Sequence, residues 1–312
     1  MMSTIKKAVV VGGGTMGCAV AAIFSVAGWD THVVETNESA LLALPGKIDE
    51  ASRALGADGS ESAPAVHGAL ADVDWIDVDI VVECIFEELA LKQALFAELE
   101  SLCPVPTPLT SNSSSFPISQ IGQGLATLNR MLGLHFFMPA HLVPAVEVVS
   151  SEVSDEQTAL RVSDIMRSVG KKPIRVKRDV PGFLANRIQH ALMREAIALV
   201  EEGFASAEDV DAAVRYGFGF RYIAAGPLLQ KDLAGIDIHC AAAQTMYPHL
   251  HSNTEASAYM RQLVANGDVG VKGTSLRGFY QWTPEQVAVE QKRYETALLK
   301  AAQILADEEG VN

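Results

Sequence analysis

The stretch AVVVGGGTMGCAVAAIFSVAG, residues 8–28, decides the fold: three valines run into three glycines and then into an uncharged segment of small and apolar residues. Ala8–Val11 predicts a buried strand and Cys18–Ala27 a helix, with Gly12-x-Gly14-x-x-Gly17 as the turn between them. Each glycine has a task in such a turn. Gly12 permits the tight bend, Gly14 lets backbone approach a pyrophosphate, and Gly17 lets the helix pack closely, while the helix N-terminus faces the negative charge. Thr15 and Met16 complete the turn, so Gly12, Gly14, Thr15, Met16 and Gly17 are candidate cofactor contacts. The next expected strand, Thr31–Glu35, closes on an acidic side chain. Glu35 can accept hydrogen bonds from both adenosine-ribose hydroxyls and would repel a 2′-phosphate, and Thr36-Asn37 offer no arginine to offset that. The dinucleotide is therefore expected to be NAD rather than NADP.

Because Lys6-Lys7 precede this run, it also resembles a signal peptide, but Gly12, Gly13 and Gly14 would interrupt the required apolar helix. No other run approaches membrane-spanning length, so no membrane partner is expected.

Beyond residue 28 the first half alternates short β-branched runs with helical stretches, as a parallel sheet requires. Strands are expected at Thr31–Glu35, Ile80–Glu83, Thr107–Ser111, Met131–His135, Val146–Val149 and Ile174–Val176, with a shorter one near Val66. Pro181-Gly182 marks a change, and from Phe183 the apolar residues recur at helical spacing. The expected fold is α/β. A doubly wound Rossmann-type sheet over residues 1–180 binds NAD, and an all-helical domain over residues 181–312 serves substrate and dimerisation.

The composition suits this plan, since 312 residues with 49% hydrophobic content can bury a core in each of two domains. Against 24 Lys and Arg stand 38 Asp and Glu, a formal charge of −14 that excludes nonspecific binding to nucleic acid or anionic membrane. The expected partner is a small molecule. Cys18, Cys84, Cys103 and Cys240 lack metal-type spacing, which points to a reducing cytoplasmic setting and no metal.

The chemistry is expected in LGLHFFMPAHLVPAVEVV, residues 132–149, where His135 ends one apolar strand and Glu147 lies in the next. An imidazole titrates near neutrality and can accept a hydroxyl proton, and a carboxylate on its far nitrogen fixes the tautomer and stabilises the imidazolium.

Five blocks in order resemble the 3-hydroxyacyl-CoA dehydrogenase family along nearly the whole chain: VGGGTMG (11–17), VVECIFEELALKQALF (81–96), TSNSSS (110–115), LHFFMP with VEVV (134–139 and 146–149), and DVPGFLANRI (179–188). The resemblance implies that His135 is the base, Glu147 its orienting partner, and Ser114 and Asn186 the groups that bind the substrate oxygen. It further implies cofactor contacts from Glu87, Lys92 and Asn112, and a homodimer formed through the helical domain. The bland alternatives are a solvated helix face for Glu87 and Lys92, and turn residues at Asn112-Ser113.

Three departures bear on the substrate. Met138 stands where the family has asparagine. The segment Ser39–Ala63 is short and carries only Lys47 and Arg53, where the coenzyme-A-handling members have a long lysine-rich hairpin. Tyr216–Asp237 resembles the lambda-crystallin and gulonate dehydrogenase branch and places Arg221, a natural reader of carboxylate, in a stretch that is usually apolar. The expected reaction is NAD-dependent oxidation of the 3-hydroxyl of a 3-hydroxyacyl-CoA or free 3-hydroxy acid, with Arg221 at the carboxylate of the free acid. A non-catalytic NAD sensor or crystallin-like protein is the alternative. The other β-hydroxyacid dehydrogenases use a catalytic lysine at the start of the helical domain, and Phe183–Asn186 contains none.

Overall fold

The structure is a computed structural model that describes residues 5–57 and 62–310. The chain divides into two compact units, the first ending at Arg187 and the second beginning at Ile188.

The first unit holds one eight-stranded sheet: β1 (Lys7–Val11), β2 (Asp30–Val34), β3 (Ala65–His67), β4 (Val78–Glu83), β5 (Leu109–Ser111), β6 (Met131–Phe136), β7 (Ala145–Val149) and β8 (Lys172–Val176). Their spatial order is β3-β2-β1-β4-β5-β6-β7-β8. The helices between them are α1 (Thr15–Val26), α2 (Glu38–Ala54), α3 (Leu89–Leu102), α4 (Ile118–Ile121) and α5 (Glu156–Ser168). Because β1 pairs with β2 on one side and β4 on the other, the order reverses at β1, and a crevice opens beyond the carboxyl ends of β1 and β4.

The period-two alternation of β1 explains why its valines are continuous. Ala8 and Val10 face a layer that includes Phe24 of α1, Leu44 of α2 and Met166 of α5, while Val9 and Val11 face Phe96 and Leu99 of α3 and Ile118 of α4. Both faces are covered, so a strand here must be apolar on both. Each large side chain buried in this way contributes about 1.5–3 kcal/mol. Side chains cap two of the helices: Asn37 Oδ1 accepts from Ala40 N at 2.9 Å to start α2, and Asp155 Oδ2 accepts from Thr158 N at 2.7 Å to start α5.

The sheet departs from the expected parallel pattern at one junction. β1 to β6 are parallel, but β7 runs antiparallel to β6, and β8 is parallel to β7. Only residues 137–144 join β6 to β7. A parallel crossover needs a dozen or more residues, so this link can only turn back. Most element boundaries shift by one to three residues, β4 and β8 each beginning two residues early at Val78 and Lys172, and two shifts have a local cause. β5 begins at Leu109 rather than Thr107, because Pro108 has no N–H to give to a ladder. The helix expected from Phe183 begins at Ala185, since Gly182 and Phe183 take positive φ (76° and 47°) in a turn that sends the Phe183 ring inward.

The second unit is helical, as expected. It contains most of α6 (Ala185–Glu201), then α7 (Ala207–Ala212), α8 (Pro227–Ala234), α9 (Ile236–Met246), α10 (Ala258–Ala265) and α11 (Pro284–Gly310), with π- and 3₁₀-type turns over 213–223. Among its described residues only Ala198 is fully buried. No helix among the described residues is long and apolar enough to cross a membrane.

Candidate active site

The antiparallel turn-back places His135 directly opposite Glu147 in the β6–β7 ladder. Their side chains meet, with His135 Nδ1 2.8 Å from Glu147 Oε2, and both are buried. The other carboxylate oxygen accepts from Leu184 N at 3.1 Å and Ala185 N at 2.8 Å, at the N-terminus of α6. Burial pushes the Glu147 carboxyl up, but the hydrogen bonds from His135 and from these two amides outweigh it and hold the group below the usual carboxylate range. An ionised Glu147 can only accept, so it assigns the proton to Nδ1 and leaves Nε2 as the basic nitrogen. Nε2 faces Ser114 Oγ at 3.1 Å, and Phe137, edge-on at 4.8 Å, and Phe183, tilted at 5.6 Å, flank the imidazole.

Ser114 is itself positioned from below. Glu87 Oε1 accepts from Ser113 Oγ (2.6 Å), Ser114 N (3.1 Å) and Ser115 N (3.0 Å), so one carboxylate shapes the whole serine loop after β5. Burial raises the Glu87 carboxyl, yet Ser113, Lys92 and the Ser115 amide bring it below its ordinary value. Lys92 is 1% exposed, with Nζ 2.6 Å from Glu83 Oε1 and 3.2 Å from Glu87 Oε2. A solvated helix face is therefore the wrong description of Lys92. Glu83 closes the network, accepting from Ser111 Oγ at 2.6 Å and Ile85 N at 2.7 Å; its burial raises the carboxyl despite Lys92.

Asn112 ties strand ends together, its N donating to Glu83 O and its Oδ1 accepting from Phe136 N, both at 2.9 Å. Asn186 is half-buried and directly follows Ala185, whose amide binds Glu147. Arg221 belongs to the second unit, exposed in the turn Gly219–Ile223. Glu83, Ser113 and the two flanking phenylalanines are contributors that the sequence did not single out. Only the position of Glu83 at a strand end hinted at it.

Around the glycine turn the backbone fits a dinucleotide. Gly12 has φ +106°, and a Cβ on it would lie 2.6 Å from the Cys84 carbonyl carbon; one on Gly17 would lie 1.8 Å from Gly12 O. Neither position tolerates a side chain. Gly14 faces open space and starts α1 without a side-chain cap, leaving the first amides of α1, including those of Thr15 and Met16, for a bound phosphate. Glu35 accepts from Gly13 N (2.9 Å) and Asn37 N (2.8 Å), which sets its carboxylate beside the turn where ribose hydroxyls would be read. The open glycine turn and the carboxylate beside it both suit NAD.

Comparison with known proteins agrees with this geometry. Residues 7–180 match the model for the 3-hydroxyacyl-CoA dehydrogenase NAD binding domain, and residues 182–282 match that for the 3-hydroxyacyl-CoA dehydrogenase C-terminal domain. A 5-formyl-3-hydroxy-2-methylpyridine 4-carboxylate 5-dehydrogenase of Mesorhizobium japonicum is 29% identical over 310 residues, spanning 98% of this chain and 100% of that one. The crystal structure of such a dehydrogenase, described as an NAD+-dependent dismutase, superposes with a TM-score of 0.89 at 29% identity, covering 97% of this chain and 99% of its own. A 3-hydroxybutyryl-CoA dehydrogenase of Mycobacterium tuberculosis is 32% identical over 292 residues, covering 90% of this chain and all of that one. A 3-hydroxyadipyl-CoA dehydrogenase of Escherichia coli K12 is 32% identical over 93% of this chain, which spans 62% of that protein.

Proposed function

The chain belongs to the 3-hydroxyacyl-CoA dehydrogenase family of NAD-dependent oxidoreductases, and from that premise we propose that it oxidises a hydroxyl-bearing carbon of a small free carboxylic acid, with His135 as general base. The observation that carries the reading is the buried dyad, with His135 Nδ1 2.8 Å from Glu147 and Nε2 turned to Ser114 at 3.1 Å.

NAD, when bound, supplies the hydride acceptor. The substrate hydroxyl gives its proton to His135 Nε2 as the carbon–hydrogen bond breaks, and the imidazolium so formed is stabilised by the Glu147 carboxylate. Ser114 and Asn186 hydrogen-bond the same oxygen and hold it in line with Nε2. In the reverse direction His135 returns the proton to the developing alkoxide.

Two observations favour a free acid over a thioester. Over α2 and its connection to β3 the described residues offer few cations for a nucleotide phosphate: within α2, Arg53 pairs with Asp49 at 2.8 Å, leaving Lys47, while residues 58–61 lie outside the described residues. A relative matched over 98% of this chain is named for a pyridine carboxylate, whereas the 3-hydroxybutyryl-CoA dehydrogenase matches 90% of it. We assign Arg221 to the substrate carboxylate. The same relative supports a second reading, in which the substrate is the hydrate of an aldehyde: one geminal hydroxyl passes its proton to His135, the carbon gives up hydride, and a carboxylic acid is formed.

The experiment is an NADH-formation screen of free 3-hydroxy acids, aromatic aldehyde-carboxylates and coenzyme A thioesters, run with the unmodified protein, His135→Gln and Arg221→Ala. We expect a free acid to be preferred, with His135→Gln costing at least ~10²-fold in kcat and Arg221→Ala costing roughly 10- to 150-fold in kcat/KM. A strong preference for 3-hydroxybutyryl-CoA, with no effect of Arg221→Ala, would return the protein to ordinary acyl-CoA chemistry.

A further inference from the structure

The turn joining the two catalytic strands is built around a buried cation with no carboxylate partner among the described residues. Lys171 is 7% exposed, and its Nζ donates to Ala140 O at 2.7 Å, Val143 O at 3.0 Å and His141 O at 3.3 Å. A fourth carbonyl of this turn, Pro139 O, accepts from Leu142 N and Val143 N, both at 3.0 Å. The turn spends two positions, Pro139 and Pro144, on residues with no N–H, so its inward carbonyls outnumber the donors it can raise itself. Lys171 makes up the deficit.

Packing alone does not explain a lysine at this place. Burial is the one cause acting on its ammonium, and it pulls the group down to about 8 from the ordinary lysine range. Holding a charge where burial opposes it costs stability, whereas a methionine would fill similar space without that cost. What the charge provides is geometry: three donors in a tetrahedral array drawing three carbonyls to one point. Phe137, the first residue of the turn, lies edge-on to the His135 ring, and His135 is two residues before it.

We infer that Lys171 is a positioning residue for the reaction, its ammonium drawing the 137–144 turn into the shape that sets Phe137 against His135 and keeps Nε2 aimed at the substrate oxygen. The inference rests on the proposed role of His135 as the base. It places a third element, the residue preceding β8, in the machinery that aligns the imidazole.

The test uses two variants of the full chain. Lys171→Met keeps the volume and removes the charge; Lys171→Ala removes the part of the side chain that n-propylammonium would replace. Both should lose roughly 10- to 100-fold in kcat, the scale of a small displacement at a reacting centre, while the Kd for NAD stays within about twofold. Added n-propylammonium should restore Lys171→Ala along a saturable curve, and 1-propanol should not. Wild-type kcat in both variants, or equal rescue by the alcohol, would show that the side chain only fills space and overturn the inference. Imidazole ¹⁵N signals provide a readout independent of substrate: those of His135 should move in Lys171→Met, and unmoved signals would also refute it. Should the unmodified protein form no NADH with any compound of the screen, the proposed function fails, and the His135 signals still decide the role of Lys171.

Discussion

Replacing Glu147 by glutamine tests the dyad more sharply than removing either member, because the amide must choose which neighbour to fail. The native carboxylate serves three donors: Nδ1–H of His135 on Oε2, and the amides of Leu184 and Ala185 on Oε1. Glutamine has one acceptor end and one donor end. With its oxygen toward the two amides, its NH₂ meets Nδ1, which must then accept, so the proton moves to Nε2 and the base is lost. With its oxygen toward Nδ1–H, its NH₂ collides with two backbone donors that are left unsatisfied, at a cost of about 1–3 kcal/mol each. The competent arrangement is thus disfavoured by about 2–6 kcal/mol, a roughly 30- to 10⁴-fold loss of active population. The analogous trap in a serine-protease triad costs about 10⁴ in kcat. Steady-state NADH formation should show this loss in kcat with the Kd for NAD unchanged, and ¹⁵N spectra should show His135 with its proton on Nε2. A variant within threefold of the unmodified rate, or one whose proton stays on Nδ1, would refute the tautomer argument.

Glu35→Ala should narrow the preference for NAD over NADP by about tenfold or more through loss of charge-assisted ribose hydrogen bonds; equal use of both by the unmodified protein would remove the assignment of Glu35 as the ribose reader. The second unit leaves Leu228 (84%), Leu233 (77%), Ile236 (64%) and Ile238 (63%) exposed, so light scattering at micromolar concentration should give twice the mass of one chain, and a fully active monomer would exclude the dimer. His251 Nε2 lies 2.9 Å from Glu202 Oε1 and Nδ1 3.1 Å from Glu195 Oε2, and these partners raise its pKa above the ordinary 6.5. Its contribution to stability is complete below pH 6.5 and disappears as pH rises through the raised value; the Tm gap between the unmodified protein and His251→Gln should close over that window. Glu147, held low, works in the opposite sense: its contribution is present above the ordinary 4.5 and is lost as pH falls through the depressed value, so Glu147→Gln should show a flatter acid limb in a Tm-against-pH series.

The strands and the glycine turn were legible because their cause is local. Period-two apolar runs, φ-permissive glycines and a carboxylate at a strand end each carry their reason within a few residues, as Val9 to Gly17 and Glu35 do. The His135–Glu147 pair was legible as a pair, while its direct opposition depended on the reversal of β7, which follows from the length of one loop. What could not be read was burial of charge. Lys92 sits in EELALKQ, whose composition matches a wetted helix face, and only the fold brings Glu83 and Glu87 to its ammonium. Lys171 stands beside Lys172 in a sequence that makes the two look alike, yet one is buried among carbonyls and the other is exposed.

The reversal of β7 does more than align the dyad. Turning back after Phe136 brings the end of β6 and the start of β7 to one edge of the sheet, the edge toward which the carboxyl ends of β1, β4 and β5 already point. Since β8 is parallel to β7, with Lys172 opposite Ala145, the start of β8 is delivered to that same edge. Lys171, one residue earlier, therefore arrives beside the turn from a crossover through α5 that is remote in sequence. His135, Glu147 and Lys171 thus share one topological origin. A register slip of one residue in β7 would send the Glu147 side chain to the opposite face and shift Ala145 away from Lys172 together. Lengthening the 137–144 turn should accordingly cost more in activity than a similar insertion in an exposed loop, because it disturbs the register of Glu147 and the carbonyls held by Lys171 at once.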